Sequence, residues 1–182
     1  MTQRPVTIAR RLAEAGVRFV VIGGVAENLH GSARVTFDCD VVYDPAPDNQ
    51  LRLIATLRDW GAWLRGAPDN LPFVLDGRTL GINPVLTLST KLGDLDVMDR
   101  VAGVGDYATV LARSKETLFE GTPLRVLELD ALIASKRATG RVKDIGPAKE
   151  LAALYVKLHG REPPRVKEPT RRPRRSRGRG RA

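Results

Sequence analysis

Two stretches of the chain decide the fold: Ile22-Gly23-Gly24-Val25-Ala26 and Asp38-Cys39-Asp40-Val41. The two glycines stand between an apolar run at residues 19–22, which predicts a strand, and a short helical pattern at residues 25–30. Residues without a Cβ let the backbone approach a ligand closely and turn its N–H groups toward it. A helix start adds the positive end of its dipole, so Gly23 and Gly24 are candidates for holding phosphate.

The two aspartates lie in a second apolar run, residues 37–43, which predicts another strand. Alternate side chains of a strand share a face, so both carboxylates are expected on one face, with Phe37, Cys39 and Val41 in the core. Neighbouring carboxylates on a strand suit a divalent metal. Taken singly, Gly-Gly also fits a tight turn, and Asp-x-Asp also fits a solvated strand edge or a diphosphate–metal site of the sugar-transferase type.

Composition excludes several classes of protein. The chain has 182 residues, of which 42% are hydrophobic, enough for one domain with a substantial core. No apolar run reaches the length of a membrane span, and the N-terminus lacks the apolar core of a signal peptide. The one cysteine, Cys39, excludes an internal disulfide and is expected to be buried. We therefore expect a cytoplasmic protein with no membrane attachment.

The charge separates a folded part from a tail. The formal net charge is +9, but residues 165–182 hold nine Lys/Arg and one acid, which is a net +8, so the remainder is nearly neutral. We predict a domain at residues 1–160 and a disordered basic tail at residues 161–182, because the tail has too little apolar surface to offset the entropy of ordering. Such a tail either binds RNA phosphates non-specifically or only solubilises the protein.

The remaining pattern predicts an α/β domain with no internal repeat. Helices are expected at residues 7–15 and 48–60, the second capped by Asp48. Residues 61–84 are expected to be irregular or to hold short strands. The runs 85–92 and 94–98 predict a hairpin joined at Leu92-Gly93.

The C-terminal half of the domain predicts one more strand and two more helices. The strand is expected at residues 124–127. The next helix is expected to be capped by Asp130 and to end at Gly140. The last helix is expected to begin at Pro147, since proline suits the first turn of a helix.

The order of strand, Gly-Gly, short helix and D-x-D on a neighbouring strand resembles the signature of the nucleotidyltransferase superfamily, h-G-[GS] followed by D-h-[DE]-h. Thirteen residues, 25–37, separate the second glycine from the first aspartate, at the long end of the family's range. Residues 31–38 are similar to the G-x-x-R-x-T-x-D of the AbiEii-like bacterial branch. Residues 132–144 resemble that branch's L-I-A-x-K-x-x-x-G-R-x-K-D. The resemblance covers residues 19–158, although Ile145-Gly146-Pro147 departs from it.

The resemblance implies a mixed sheet flanked by helices, with a metal site of three carboxylates. Asp38 and Asp40 would be joined by a carboxylate from a later strand, and together they would hold Mg²⁺ or Mn²⁺. Asp96 is favoured for this third position by its l-D-v context. Asp94 is the alternative on the same strand face, although Asp after Gly is also a common turn residue.

The resemblance also implies a set of residues that hold the NTP. They are Gly23, Gly24, Arg34, Thr36 and Lys136. For Lys136 the alternative is a side chain whose stem covers the core and whose ammonium reaches water.

The activity implied by the resemblance is transfer of a nucleoside monophosphate from a metal-bound NTP to an acceptor hydroxyl. The acceptor would be RNA or a protein, as for toxin-like members, and a cognate antitoxin would be the partner. A small antibiotic is a further candidate acceptor. The alternative is a non-catalytic member of the same fold that binds nucleotide or RNA in a regulatory role.

Overall fold

The structure, a computed structural model, describes residues 5–68, 71 and 73–164, without the side chain of Lys143. The helices of this described part are α1 (Pro5–Glu14), α2 (Gly23–Leu29), α3 (Pro47–Asp59), α4 (Gly77–Ile82), α5 (Tyr107–Ala112), α6 (Leu129–Thr139) and α7 (Val142–His159). Its strands are β1 (Phe19–Ile22), β2 (Asp38–Tyr43), β3 (Trp63–Leu64), β4 (Val85–Thr90), β5 (Gly93–Met98), β6 (Arg100–Val101), β7 (Gly105–Asp106), β8 (Ser114–Phe119) and β9 (Thr122–Leu127).

Seven of these strands form one mixed sheet in the order β3-β4-β5-β2-β1-β9-β8, and β6 pairs separately with β7. Strand β2 lies near the centre, antiparallel to β1 and parallel to β5. Strands β4 and β5 form the predicted hairpin. The predicted fold class, a mixed sheet flanked by helices, is confirmed.

The register of the central strands determines which side chains meet. In the parallel pair β2–β5, Asp38 lies opposite Asp94 and Asp40 lies opposite Asp96. On the other side of β2, Asp40 lies opposite Ile22, the last residue of β1. Because side chains directly across a pair of strands share a face, the aspartates of both strands point to the same side of the sheet.

The opposite face of β2 and β5 is buried beneath α1. Cys39, Val41 and Leu95 are fully buried, and α1 contributes Ile8 and Leu12 to the same cluster. Burial raises the pKa of the Cys39 thiol, which is consistent with a buried thiol rather than a reactive one. The alternation expected from the sequence therefore holds within the strand.

Phe37 is an exception to that prediction. The sequence places it in the core, but β2 begins at Asp38 and Phe37 is 82% exposed. Period-two alternation applies only where the backbone is a paired strand, and residue 37 precedes the first paired residue of β2.

Two predicted helix caps are wrong. Helix α3 begins at Pro47 after Ala46, and Asp48 instead contacts Arg18, with Nη1 2.9 Å from Oδ2. Proline at the first helical position has no N–H to satisfy, so a capping side chain is not needed there. Helix α6 begins after Glu128, and Asp130 instead pairs with Arg113 at 2.9 Å.

Three further boundaries differ from the sequence prediction or refine it. Helix α7 begins at Val142, so Pro147 lies inside it rather than at its start. Helix α4 falls within the segment expected to be irregular, and its cap is the carboxylate of Asp76, which accepts a hydrogen bond from the Thr79 N–H at 2.7 Å. Gly140 ends α6 in the left-handed conformation, as predicted.

The predicted basic tail lies almost entirely beyond the described residues, since residues 165–182 are outside them. Helix α7 ends at His159, and the division into a domain at residues 1–160 and a tail at residues 161–182 stays a prediction. Among the described residues, no helix combines the length and the apolarity that a bilayer crossing requires.

Candidate active site

Three carboxylates converge on one face of the sheet. Asp38 and Asp40 come from β2 and Asp96 comes from β5, and each offers an oxygen within 4.8 Å of the oxygens of the other two. The parallel pairing of β2 and β5 produces this arrangement, because it puts Asp40 beside Asp96 and Asp38 one step along the same face. The side chains predicted from the sequence to form the metal site are therefore neighbours.

The donor set suits a hard divalent cation. All its ligand atoms are carboxylate oxygens, which Mg²⁺ and Mn²⁺ prefer over nitrogen or sulfur ligands. The three groups are half-buried, so an ion held there would keep access to solvent and to a substrate phosphate. These residues fit a divalent ion, and they do not by themselves select which one.

Asp94 has a different environment from Asp96. Its Oδ1 accepts a hydrogen bond from Ser89 Oγ on β4 at 2.7 Å. It lies on the same face as the three converging carboxylates but is not one of them. This geometry favours Asp96 over Asp94 as the third carboxylate.

The surroundings of Asp40 shift the pKa of its carboxyl group. Its pKa is raised from 3.8 to about 6, first by burial and then by the neighbouring carboxylate of Asp38. The positive charges of Lys136 and Arg65 act in the opposite direction. A cation bound beside Asp40 would therefore favour its charged form.

Arg65 is a site residue that the sequence did not reveal. Its guanidinium contacts Asp96 directly and lies 3.6 Å from Asp38 Oδ2 and 3.7 Å from Asp94 Oδ2. The backbone N–H of Arg65 donates to Thr87 O at 3.1 Å, which fixes the residue against β4 just after β3. A single arginine in a segment rich in Gly and Pro gives no sequence signal for this role.

Lys136 pairs with a buried carboxylate. Its Nζ lies 2.7 Å from Oε1 of Glu27, a carboxylate on α2 that is only 2% exposed. The charge of Lys136 also acts on the carboxylate of Asp40. The Lys136 ammonium therefore meets a buried carboxylate rather than water, and its role in holding the NTP stays a prediction. Glu27 had no signal in the sequence.

Gly23 and Gly24 leave room for two side chains of the site. A Cβ on Gly23 would lie 2.7 Å from Cγ of Asp40, and a Cβ on Gly24 would lie 2.6 Å from Cβ of Thr36. Gly23 also has φ +58°, a conformation that side-chain-bearing residues rarely adopt. Both glycines are therefore required by packing, whether or not their N–H groups also contact a ligand.

Thr36 and Arg34 occupy different surroundings. Thr36 Oγ1 donates to Asp38 Oδ1 at 3.2 Å, so the hydroxyl orients a carboxylate of the cluster. Arg34 instead lies beside α7, with Nη1 3.3 Å from Oε2 of Glu150. Its ion pair within the described residues is thus with α7 and not with the aspartates.

His30, which the sequence gave no reason to treat as a base, has a structural role. Its Nε2 lies 2.8 Å from Leu127 O, which joins the end of α2 to β9. Burial lowers the pKa of its imidazole.

Comparison with known proteins gives similarity at the level of the fold. No family model matches the chain, and no curated protein matches it. The crystal structure of ANT(2″)-Ia in complex with adenylyl-2″-tobramycin is similar with a TM-score of 0.53 and 15% identity, over 87% of this chain and 90% of that chain. The solution structure of the antibiotic-resistance factor ANT(2″)-Ia is similar with a TM-score of 0.54 and 16% identity, over 85% of this chain and 84% of that chain.

These similarities place the chain in the nucleotidyltransferase fold. They reach across most of both chains, so the shared fold is that of the domain and not of a fragment. Neither structure is named as a member of the AbiEii-like branch that the sequence resembles. The similarity therefore shows the fold alone, and both the superfamily and the branch rest on the sequence motifs.

The packing of Gly23 predicts a steep cost of adding one methyl group. Gly23→Ala should destabilise the protein by about 2 kcal/mol or more, because the Cβ overlaps the Asp40 carboxylate and φ is positive. Gly146→Ala is the control, since its Cβ would meet nothing within 4 Å and its backbone is helical. Urea denaturation of both variants checks this, and equal stabilities would contradict it.

The raised pKa of Asp40 predicts a pH-dependent stability. A carboxyl group whose folded pKa exceeds its unfolded value stabilises the fold below pH 4, and this contribution is lost as the pH rises through about 6. In EDTA, Asp40→Asn should therefore melt a few degrees above the parent at about pH 7.5 and close to it at about pH 4. Asp59→Asn, an exposed carboxylate on α3, is the control. A melting difference that does not vary with pH would count against the prediction.

The contacts of Arg65 predict competition with a divalent ion. Arg65→Ala should bind Mn²⁺ about tenfold more tightly than the parent, because the ion no longer competes with the guanidinium for the same carboxylates. Arg100→Ala, which removes an arginine paired with Asp99, should leave the affinity unchanged. Titration followed by electron paramagnetic resonance measures free Mn²⁺ directly. Weaker binding by Arg65→Ala would show that the arginine supports the ion instead.

Proposed function

We propose that this protein transfers a nucleoside monophosphate from an NTP to an acceptor hydroxyl. The observation that carries the proposal is the convergence of Asp38, Asp40 and Asp96 on one face of a nucleotidyltransferase fold. A cluster of three carboxylates in a half-open site favours metal-dependent phosphoryl chemistry over a binding role that needs no charge.

In the proposed reaction the acceptor oxygen forms a bond to the α-phosphorus of the NTP. The bond from that phosphorus to the bridging oxygen of the β-phosphate breaks, pyrophosphate leaves, and the hydroxyl proton passes to water. Asp38, Asp40 and Asp96 would hold Mg²⁺ or Mn²⁺, which when bound lowers the pKa of the hydroxyl and neutralises the leaving group. Thr36 orients the Asp38 carboxylate through its 3.2 Å hydrogen bond.

The proposed nucleotide site surrounds these carboxylates. Lys136 would attract the triphosphate, and its pairing with Glu27 holds the ammonium near Asp40. Gly23 and Gly24 would let the phosphates approach the backbone at the end of β1. Arg34 would have to leave Glu150 to reach a phosphate, so its part in binding is the least supported of the sequence predictions.

The proposal also includes the acceptor class and the partner protein. A toxin-like protein that acts in the cytoplasm on RNA or on a protein, and is neutralised by a cognate antitoxin, is what the sequence resemblance supports. ANT(2″)-Ia has been solved with adenylyl-2″-tobramycin, which makes an antibiotic acceptor the alternative enzyme class.

One observation favours a second candidate function, a non-catalytic member that binds nucleotide or RNA. Arg65 contacts the same carboxylates that a metal would use. A protein in which this arginine permanently replaced the ion would retain the fold without the chemistry. Metal binding by the parent protein separates the two functions, because the non-catalytic candidate would not bind Mn²⁺ at this site.

The acceptor experiment tests the proposal directly. The protein is incubated with each of the four labelled NTPs and Mg²⁺ or Mn²⁺, and is offered total RNA, tRNA, bulk protein and an aminoglycoside. Label that appears in one acceptor class, and only with a divalent ion, supports the transferase. No label in any acceptor, together with measurable NTP binding, supports the non-catalytic candidate.

The positions of the carboxylates predict how much of the transfer rate each substitution removes. Asp38→Ala and Asp96→Asn should each lower the transfer rate on the order of 100-fold or more, because each removes a ligand charge that opposes the developing pyrophosphate charge. Asp94→Asn should be milder, since Asp94 accepts from Ser89 and lies outside the converging group. Initial rates of NMP transfer for the three variants provide the measurement. A larger loss for Asp94→Asn than for Asp96→Asn would reverse the assignment of the third carboxylate.

A further inference from the structure

Arg65 reaches the carboxylate cluster from the β3–β4 side of the sheet. Its backbone N–H donates to Thr87 O at 3.1 Å, and Thr87 lies opposite Asp96 in the β4–β5 pair. Asp96 in turn lies opposite Asp40 across β5 and β2. The backbone of Arg65 is therefore fixed in the row of the sheet that holds two carboxylates of the cluster, so a change in its contacts there must come from its side chain.

Each nitrogen of the Arg65 guanidinium group meets a different carboxylate. Nη2 donates to Asp96 Oδ1, Nη1 lies 3.6 Å from Asp38 Oδ2, and Nε lies 3.7 Å from Asp94 Oδ2. Asp38 and Asp96 belong to the group that fits a divalent ion, and Asp94 does not. A cation on that group competes with Nη1 and Nη2 for the same oxygens, whereas the contact between Nε and Asp94 lies outside this competition.

Asp94 is suited to hold Arg65 by its Nε. The Oδ1 of Asp94 accepts a hydrogen bond from Ser89 Oγ at 2.7 Å, which leaves Oδ2 to face the guanidinium. Within the described part of the chain, Arg65 Nε is shielded from solvent and has no hydrogen-bond partner. A buried donor without an acceptor is unfavourable, so a small shift of Nε toward Asp94 is favoured. Asp94 can therefore keep Arg65 beside the cluster after its contacts with Asp38 and Asp96 are released.

Arg65 and the start of α2 lie on opposite sides of the cluster. In the sheet order β4-β5-β2-β1, Arg65 is bonded to β4, whereas Gly23 follows β1 and would overlap the Asp40 carboxylate if it carried a Cβ. In the proposed reaction the β- and γ-phosphates lie on the side of Gly23 and Lys136, and the α-phosphate lies at the carboxylates themselves. A cation on the β4 side is therefore within reach of the α-phosphate rather than of the leaving pyrophosphate.

We propose that Arg65 binds the phosphoryl group that is transferred, and that Asp94 is the positioning residue that holds the guanidinium there. This inference rests on the proposed function, and it adds two residues to the nucleotide site described above. An arginine held at Nε still presents the N–H groups of Nη1 and Nη2, and its planar fork suits two phosphate oxygens. These groups exchange Asp38 and Asp96 for oxygens of the α-phosphate when the metal-bound NTP occupies the cluster, and they stabilise the charge that shifts there during transfer.

The test compares nucleotide binding with pyrophosphate binding by the full-length chain. The probes are the α,β-methylene analogues of the four NTPs, whose carbon bridge prevents transfer, and inorganic pyrophosphate, which lacks the transferred phosphoryl group. Isothermal titration calorimetry at saturating Mg²⁺ measures the affinity for each probe. The variants are Arg65→Ala, Arg65→Lys and Asp94→Asn, and Lys136→Met is the comparison on the opposite side of the cluster.

Arg65→Ala should bind the NTP analogue about tenfold more weakly than the parent, because it loses charge-assisted hydrogen bonds to the α-phosphate. Its affinity for pyrophosphate should be unchanged, whereas Lys136→Met should lose affinity for both probes. Arg65→Lys keeps a positive charge against the carboxylates, which protects the fold, but it lacks the fork and should also weaken binding of the analogue alone. Equal losses for both probes in the two Arg65 variants, or no loss for either, would overturn the assignment.

A double-mutant cycle tests the role of Asp94. Asp94→Asn in the parent removes the anchor of the guanidinium, so the NTP analogue should bind about fivefold more weakly. In the Arg65→Ala background the same substitution only removes a negative charge beside the triphosphate, so the affinity should be unchanged or higher. The surface pair of Asp99 and Arg100 provides a matched control cycle that should show no coupling. Equal effects of Asp94→Asn in the two backgrounds would overturn the positioning role.

A spectroscopic readout tests the anchor without any nucleotide. In ¹H–¹⁵N spectra recorded with Mg²⁺ alone, the Nε–H signal of Arg65 should persist in the parent and be lost to exchange with water in Asp94→Asn. A signal that is equally persistent in both proteins would overturn the anchor.

The binding measurements also separate this inference from the proposed function. Parent-like binding of the NTP analogue by Arg65→Ala would overturn the inference and leave the proposed function standing. A parent protein that binds none of the four analogues would overturn the proposed function, and the phosphate assignment of Arg65 with it.

Discussion

Repulsion among carboxylates is the constraint around which the site is organised. The parallel pairing of β2 with β5 forces Asp38, Asp40 and Asp96 onto one face of the sheet. The fold must therefore supply compensating positive charge, and it does so with Arg65 from one side and Lys136 from another. Neither cation is adjacent in sequence to the aspartates it serves.

The other face of the same strands supports this arrangement. Cys39, Val41 and Leu95 are fully buried beneath α1, so β2 cannot slip in register without exposing its apolar set to water. A one-residue slip would also exchange the aspartates for apolar side chains at the site. The hydrophobic core thus fixes the positions of the three carboxylates, although these like charges repel one another.

The sequence was most informative where a short-range pattern determines structure. Period-two alternation placed Asp38 and Asp40 on one face of their strand, and the Gly-Gly stretch marked the passage from β1 to α2. The family resemblance, not the alternation, brought Asp96 to the other two aspartates. The alternation failed for Phe37, which precedes the paired backbone. The sequence also gave no sign of Arg65 or Glu27. Those two residues depend on contacts across the fold, with Arg65 held by β4 and Glu27 meeting a lysine on α6. A pattern read along one segment carries no information about such contacts.

The Glu27–Lys136 pair also has a consequence for the order in which the protein is made. A nascent chain that has emerged through β5 already holds the aspartates, Arg65 and Glu27, but α6 has not yet left the ribosome. Burial of Glu27 on α2 would then place an uncompensated charge in the core, which opposes the docking of that helix until Lys136 arrives. Completion of the site is therefore tied to synthesis of the C-terminal helices, and a polypeptide released early would lack a finished centre.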